Sequence, residues 1–226
     1  MKRRTPTQDE MKLRAARFKE AIPAKTRRLP EKGAAKDAIV QQRMADISAN
    51  NMTAAQKKAA AEVLRDRGKP PMGPFGPLLR SPEVMLCVKA LGDYLRFKSP
   101  LPPNLRELAI LITVREWAQR FQWHYHSELA IKAGVSPEIV QAVAEGRRPA
   151  RLSGDEEIVC DFCTELLHNH SVSDATYDRA IAKLGEQNTI DMVSLTGYYA
   201  FNAMVLNVNR TPPPKGASAA PFFFPK

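Results

Sequence analysis

Cysteine is scarce. Cys87, Cys160 and Cys163 are the whole complement of 226 residues, too few for a disulfide framework in a chain this long, so a reducing cytoplasm is the expected setting. Long apolar runs are missing too. The longest unbroken one covers Leu108 to Ile112, far short of the ~20 residues that cross a bilayer. No apolar stretch follows the basic N-terminus, and Asp9, Glu10 and Glu20 interrupt its positive charge. Neither a secretory signal nor a mitochondrial-type leader is expected. Aromatics make up 7% of the chain, and Phe18 alone is interleaved with the basic N-terminal residues, which gives base stacking, and nucleic-acid binding with it, little support. Alternating period-two strands, hairpin dipeptides, phosphate-binding glycine loops and fixed-period repeats are also lacking.

What is present is a chain 44% hydrophobic, enough for one domain with a core of its own. Its net charge of +10 is concentrated at one end. Residues 1–69 hold 18 Lys and Arg against 8 Asp and Glu, and the remainder holds 16 of each. The basic character therefore belongs to the leader, read either as an electrostatic arm or as a solvated segment. The expected organisation is a basic extension over 1–52, partly disordered or helical, a helical domain over 53–210 and an extended Pro/Phe tail over 211–226. The PFFFP tail is apolar enough to dock on its own body or on a neighbouring subunit.

Helix punctuation supports an all-α reading. A helix over 35–50 could present Ile39, Val40, Met44 and Ile47. Thr53 caps the next, which Gly68, Pro70 and Pro71 end. Four prolines and two glycines across 70–77 predict a loop. Ser81-Pro82-Glu83 opens a helix, and Asn104 to Ala133 runs without Gly or Pro at helical spacing. Gly134 suits the position after a helix end, Ser136-Pro137-Glu138 starts another helix, and Ser153-x-x-Glu156 reads as a capping box. Ser173 caps a helix that ends at Gly185, and a last one covers about 188–209.

The stretch from Glu107 to Gly134, ELAILITVREWAQRFQWHYHSELAIKAG, carries the chemistry. Trp123, His126, Ala130 and Ala133 share a helical face. Glu107 has apolar neighbours at i+1, i+3, i+4 and i+5, which predicts burial and hence a need for a partner. In one straight helix Glu107 and His126 would stand about 28 Å apart, so they cooperate only through a fold-back or across subunits.

The spacing Glu107-x11-Gln119-x2-Gln122-x3-His126, with Ala130 and Gly134 following, resembles the carboxymuconolactone decarboxylase and alkylhydroperoxidase D superfamily. Gln119 and Gln122 stand where that family usually has a redox CxxC. The resemblance extends over roughly 70–210 and implies an alkylhydroperoxidase D-like helical bundle with a central helical hairpin that breaks near 116–120. It also implies a homotrimer or hexamer and chemistry without metal or organic cofactor. His126 would be the proton-transfer residue and Glu107 its orienter, with Trp123 as an apolar wall. His124, Arg115, Tyr198 and Asn202 are the candidate substrate contacts, and Arg106, Arg115 and Arg120 the candidates for an anion clamp. Decarboxylase members act on a carboxylated lactone. Peroxidase members need a thiolate, a step a glutamine cannot perform.

Three functional readings follow. The first is cofactor-independent lyase or proton-transfer chemistry on a small carboxylated ring compound. The second is a thiol peroxidase using Cys160 and Cys163, whose alternative role is core packing. The third is a non-catalytic binding or assembly module held by its basic leader. Metal binding is not expected, since His124 and His126 diverge on a helix and the His124/Glu128 pair lacks a third ligand. Tyr198, Asn202 and Asn209 lie near one face of the last helix, as a pocket lining or as helix-end caps.

Overall fold

The computed structural model describes residues 41–214 and 217. Among them are eight α-helices and no strand: α1 (Ala54–Arg67), α2 (Phe75–Leu78), α3 (Pro82–Phe97), α4 (Pro103–Glu116), α5 (Arg120–Lys132), α6 (Pro137–Ala144), α7 (Gly154–Asn169) and α8 (Asp174–Asn209). Residues 1–40, where the electrostatic arm was expected, lie outside the described residues, as does the Phe-rich tail.

α4 is the centre. Leu105, Glu107, Leu108, Ala109, Ile110, Leu111, Thr113 and Val114 are all buried, so the helix is enclosed on nearly every side. It packs on α5, α7 and α8. A second, smaller cluster joins Ala59 and Val63 of α1 to Phe75, Leu78, Leu79 and Met85.

The capping signals act as the sequence implies. Thr53 and Ser153 both form full capping boxes, with Gln56 and Glu156. Ser136 and Ser173 cap α6 and α8 through Ile139 N and Thr176 N. Ser81 precedes Pro82 at the start of α3 but makes no side-chain cap bond.

Two expectations are corrected. Residues 41–48 form no helix, and only a 3-10 turn at Ala49–Asn51 precedes α1. Their backbone bonds go elsewhere: Arg43 N donates to Asn209 O at 2.9 Å and Met44 N to Asn209 Oδ1 at 2.9 Å. The segment 70–77 holds one turn of helix, α2. It survives there because Pro74 sits at the N-cap and Pro77 in the first turn, where amide donors have no partner to lose. The helix end expected at Gly185 is present: its φ of 78° and ψ of 169° are not helical, so α8 is two helices joined across a kink there.

The α4–α5 hairpin needs no glycine or proline. Ala118 takes φ 48°, a left-handed conformation that costs a non-glycine residue about 1 kcal/mol. The turn is held from both sides. Gln119 N donates to Val114 O at 2.8 Å, and Gln119 Oε1 accepts from Phe121 N at 2.8 Å as the N-cap of α5. Gln119 Nε2 donates to Asn207 Oδ1 at 2.7 Å, and Asn207 Nδ2 donates to Trp117 O at 2.9 Å. The two Asn207 bonds tie the turn to α8, while Gln119 Oε1 ties it to the start of α5.

Candidate active site

The hairpin brings Glu107 and His126 together within one chain. His126 Nδ1 lies 2.8 Å from Glu107 Oε2, and both side chains are buried. A carboxylate only accepts, so Nδ1 carries the hydrogen and donates it to Glu107. That leaves Nε2, on the far side of the ring, as the nitrogen able to exchange a proton. The ring meets Tyr199 edge-to-face at 4.9 Å between centroids. Burial pushes the Tyr199 phenol pKa up, so this neighbour stays neutral beside the pair.

His126 lines a cavity of about 530 Å³, within the size range of small-molecule sites. Its walls come from α1, the 68–75 turn and α2, the end of α3, α5 and α8. Phe75, Phe121, Tyr125 and Tyr198 give it aromatic surface. Three cations also line it, Arg67, Lys69 and Arg96, together with the Asp66 carboxylate. Arg67 is bound to Asp93 at 2.7 Å and Asp66 to Lys89 at 2.6 Å, whereas Lys69 and Arg96 form no ion pair with a described carboxylate.

The expected substrate contacts divide. Tyr198 and Asn202 line the cavity with His126. Trp123, His124 and Arg115 do not. Trp123 is buried in the main core. His124 stacks edge-to-face on Tyr125 at 5.2 Å. Arg115 lies at the α6 end, where its Nε donates to Ala144 O at 2.8 Å. Arg106 and Arg120 are likewise absent from the lining. Asn209 belongs to the helix end, bonded to Met44 N and Thr211 Oγ1.

Sequence reasoning missed Tyr199, Gln122, Lys69 and Arg96. The string Tyr198-Tyr199-x-x-Asn202 held a signal for Tyr199, since it stands at i−3 to Asn202 on a helix. Lys69 and Arg96 had none, because they come from a turn and a helix end far apart in the chain.

Cys160 and Cys163 lie in α7, both buried, and all three cysteines are free thiols. Burial pushes the Cys163 thiol up to about 12 and raises Cys160 also. Both therefore favour the unreactive thiol form. Among the described residues no group of three or more His, Cys, Asp or Glu side chains could hold a metal ion, and no helix is long and apolar enough to cross a membrane.

An all-helical bundle built on a buried α4–α5 hairpin is the alkylhydroperoxidase D-like class of fold. Solved structures agree. The alkylhydroperoxidase AhpD core of an uncharacterized peroxidase-related protein from Ralstonia eutropha JMP134 superposes with a TM-score of 0.62 at 16% identity, over 77% of this chain and 93% of that one. An uncharacterized peroxidase-related protein from Silicibacter sp. TM1040 gives 0.62 at 14%, over 81% and 97%. Residues 82–157 match the model of the carboxymuconolactone decarboxylase family. No curated protein matches it.

Proposed function

We propose that this protein is a proton-transfer enzyme acting on a small carboxylated ring compound, in the manner of a cofactor-independent carboxy-lyase. The observation that carries the reading is the buried Glu107–His126 bond of 2.8 Å at the wall of a cavity. Glu107 holds the imidazole in one tautomer and stabilises its charged form, a positioning role. His126 is the catalytic residue.

In the proposed step the bond between ring carbon and carboxylate breaks, and CO2 leaves. The bonding electron pair passes to the conjugated ring carbonyl as an enolate. The imidazolium Nε2–H of His126 then protonates the carbon, and the neutral ring regains its proton from water. Lys69 and Arg96 are suited to hold the substrate carboxylate and the enolate charge. The aromatic walls keep water from competing.

Self-association is part of the proposal. Ile190, Val193, Met204 and Val208 are exposed along α8, at spacings that align them on one face. An apolar stripe of that length fits a contact with a second copy. A cytoplasmic location, in keeping with three unpaired cysteines, completes it.

The test compares His126→Ala with Cys160→Ser during turnover of a panel of small ring acids. Loss in the first and retention in the second is the expected result. The reverse order, with thiol titre falling after peroxide, would support the thiol peroxidase reading instead. If neither changes any activity while removal of residues 1–50 abolishes partner binding, the binding-module reading stands.

A further inference from the structure

We propose that Gln122 and Asn202 form the hydrogen-bonding recognition point of this cavity, and that its ligand is a ring acid bearing a hydroxyl group. The inference rests on the cavity being the active site, and it names the class of compound the cavity selects.

Gln122 is 4% exposed and Asn202 1%. Both line the cavity, from α5 and α8. Gln122 Oε1 and Asn202 Oδ1 are buried with no hydrogen-bond partner among the described residues. An unmet buried carbonyl of this kind costs about 1–3 kcal/mol. Elsewhere the fold meets such needs: Gln119, Asn207 and Asn209 all have bonded amide oxygens. Of the three orphaned amide oxygens among the described residues, two belong to residues that line this one cavity, the third to Asn188. A half-open site lined by two residues with unmet polar groups, on different walls, suits a polar ligand.

The ligand's chemistry follows from those groups. A carboxamide turned over by 180° exchanges an acceptor for a donor. A hydroxyl satisfies either orientation, because it both donates and accepts. A ketone, which only accepts, or an ammonium group, which only donates, satisfies one alone. The cations Lys69 and Arg96 call for an anionic group at another point of the wall, and Phe75, Phe121 and Tyr198 for a ring between them. A hydroxylated ring carboxylate meets all three demands.

The test measures melting temperature and Kd for the full chain with matched probe pairs: benzoate against 4-hydroxybenzoate, and cyclohexanecarboxylate against 4-hydroxycyclohexanecarboxylate. The hydroxy acid of at least one pair should bind about tenfold tighter, the size of one hydrogen bond to an otherwise unmet buried group. Gln122→Met should erase much of that preference while its ligand-free melting temperature equals or exceeds wild type, since an unmet carbonyl is removed. Asn202→Leu is the second variant. Equal binding of both members in every pair overturns the proposal, as does binding of none. So does a Gln122→Met protein that keeps the preference, or one that melts well below wild type, which would show the amide to be structural. Binding is read without turnover. If His126→Ala keeps both turnover and the hydroxyl preference, the proton-transfer reading falls and this one stands.

Discussion

Replacing Glu107 by glutamine tests the core of the proposed chemistry while leaving volume almost unchanged. In the wild type the carboxylate can only accept, so the 2.8 Å contact fixes the hydrogen on His126 Nδ1. A glutamine can offer oxygen or nitrogen at the same place, and no charge stabilises the imidazolium. Both side chains are buried, so solvent screening does little to soften the change. Losing the charge assistance of one buried hydrogen bond is worth about 1–3 kcal/mol in stability. Turnover should fall further, by about 10²–10⁴-fold, the usual contribution of a positioned acid or base. Glu107→Ala should cost more stability than Glu107→Gln, because it leaves a void and an unpaired ring nitrogen. Denaturant unfolding gives the first number and steady-state kinetics the second. Nitrogen-15 correlation spectra of the four histidines report the tautomer directly. A wild-type His126 hydrogenated on Nε2 alone would refute the reasoning, and so would a Glu107→Gln enzyme with unchanged turnover.

Cys163 gives a pH signature. Its thiol is pushed from 9.0 up to about 12 by burial. The folded state therefore keeps a proton that the unfolded chain releases above pH 9. The stability this contributes is full below pH 9 and is lost as pH rises toward 12, at up to about 1.4 kcal/mol per pH unit; unfolding curves of wild type and Cys163→Ala should converge over pH 9–11, and parallel curves would contradict the burial. Exposed Cys87 should react with a thiol reagent well before Cys160 or Cys163. Ala118→Gly should stabilise the protein by about 0.5–1 kcal/mol, since Ala118 holds φ 48°, as read from the urea midpoint. Gln119→Cys should cost about 1–3 kcal/mol, through loss of the α5 cap and the Asn207 bond. Gln122→Cys should cost little in the same measurement, because its oxygen has no partner to lose.

Much of the fold could be read from punctuation. Thr53, Ser136, Ser153 and Ser173 cap the helices expected of them, since a capping residue acts within three positions of itself and needs no tertiary knowledge. The break between α4 and α5 was legible only by resemblance. Its local sequence, Trp117-Ala118-Gln119, contains no turn former, and the strained alanine is held by Asn207 from 88 residues away. The absence of a helix over 41–48 has the same cause, because Asn209 takes the backbone donors of Arg43 and Met44 from a distance. The site followed the same division. Glu107 announced its burial through its apolar neighbours, and His126, Tyr198 and Asn202 lie on the cavity as read. Trp123 did not, since a helical face in the sequence says which residues lie together but not whether core or cavity covers them.

The two glutamines at the usual cysteine positions are equivalent in sequence and opposite in structure. Gln119 is fully buried, and both ends of its amide are engaged in holding the hairpin. Gln122, three residues on and nearly one turn around α5, lines the cavity and has a buried oxygen with no partner among the described residues. A thiol at 119 could not bridge Phe121 N and Asn207, so the hairpin that joins Glu107 to His126 depends here on an amide where redox chemistry would need sulfur. An amide at 122 in turn gives the cavity a neutral hydrogen-bonding group beside His126 in place of a nucleophile. The same pair of residues thus secures the geometry of the proton-transfer pair at one position and changes what the cavity can recognise at the other.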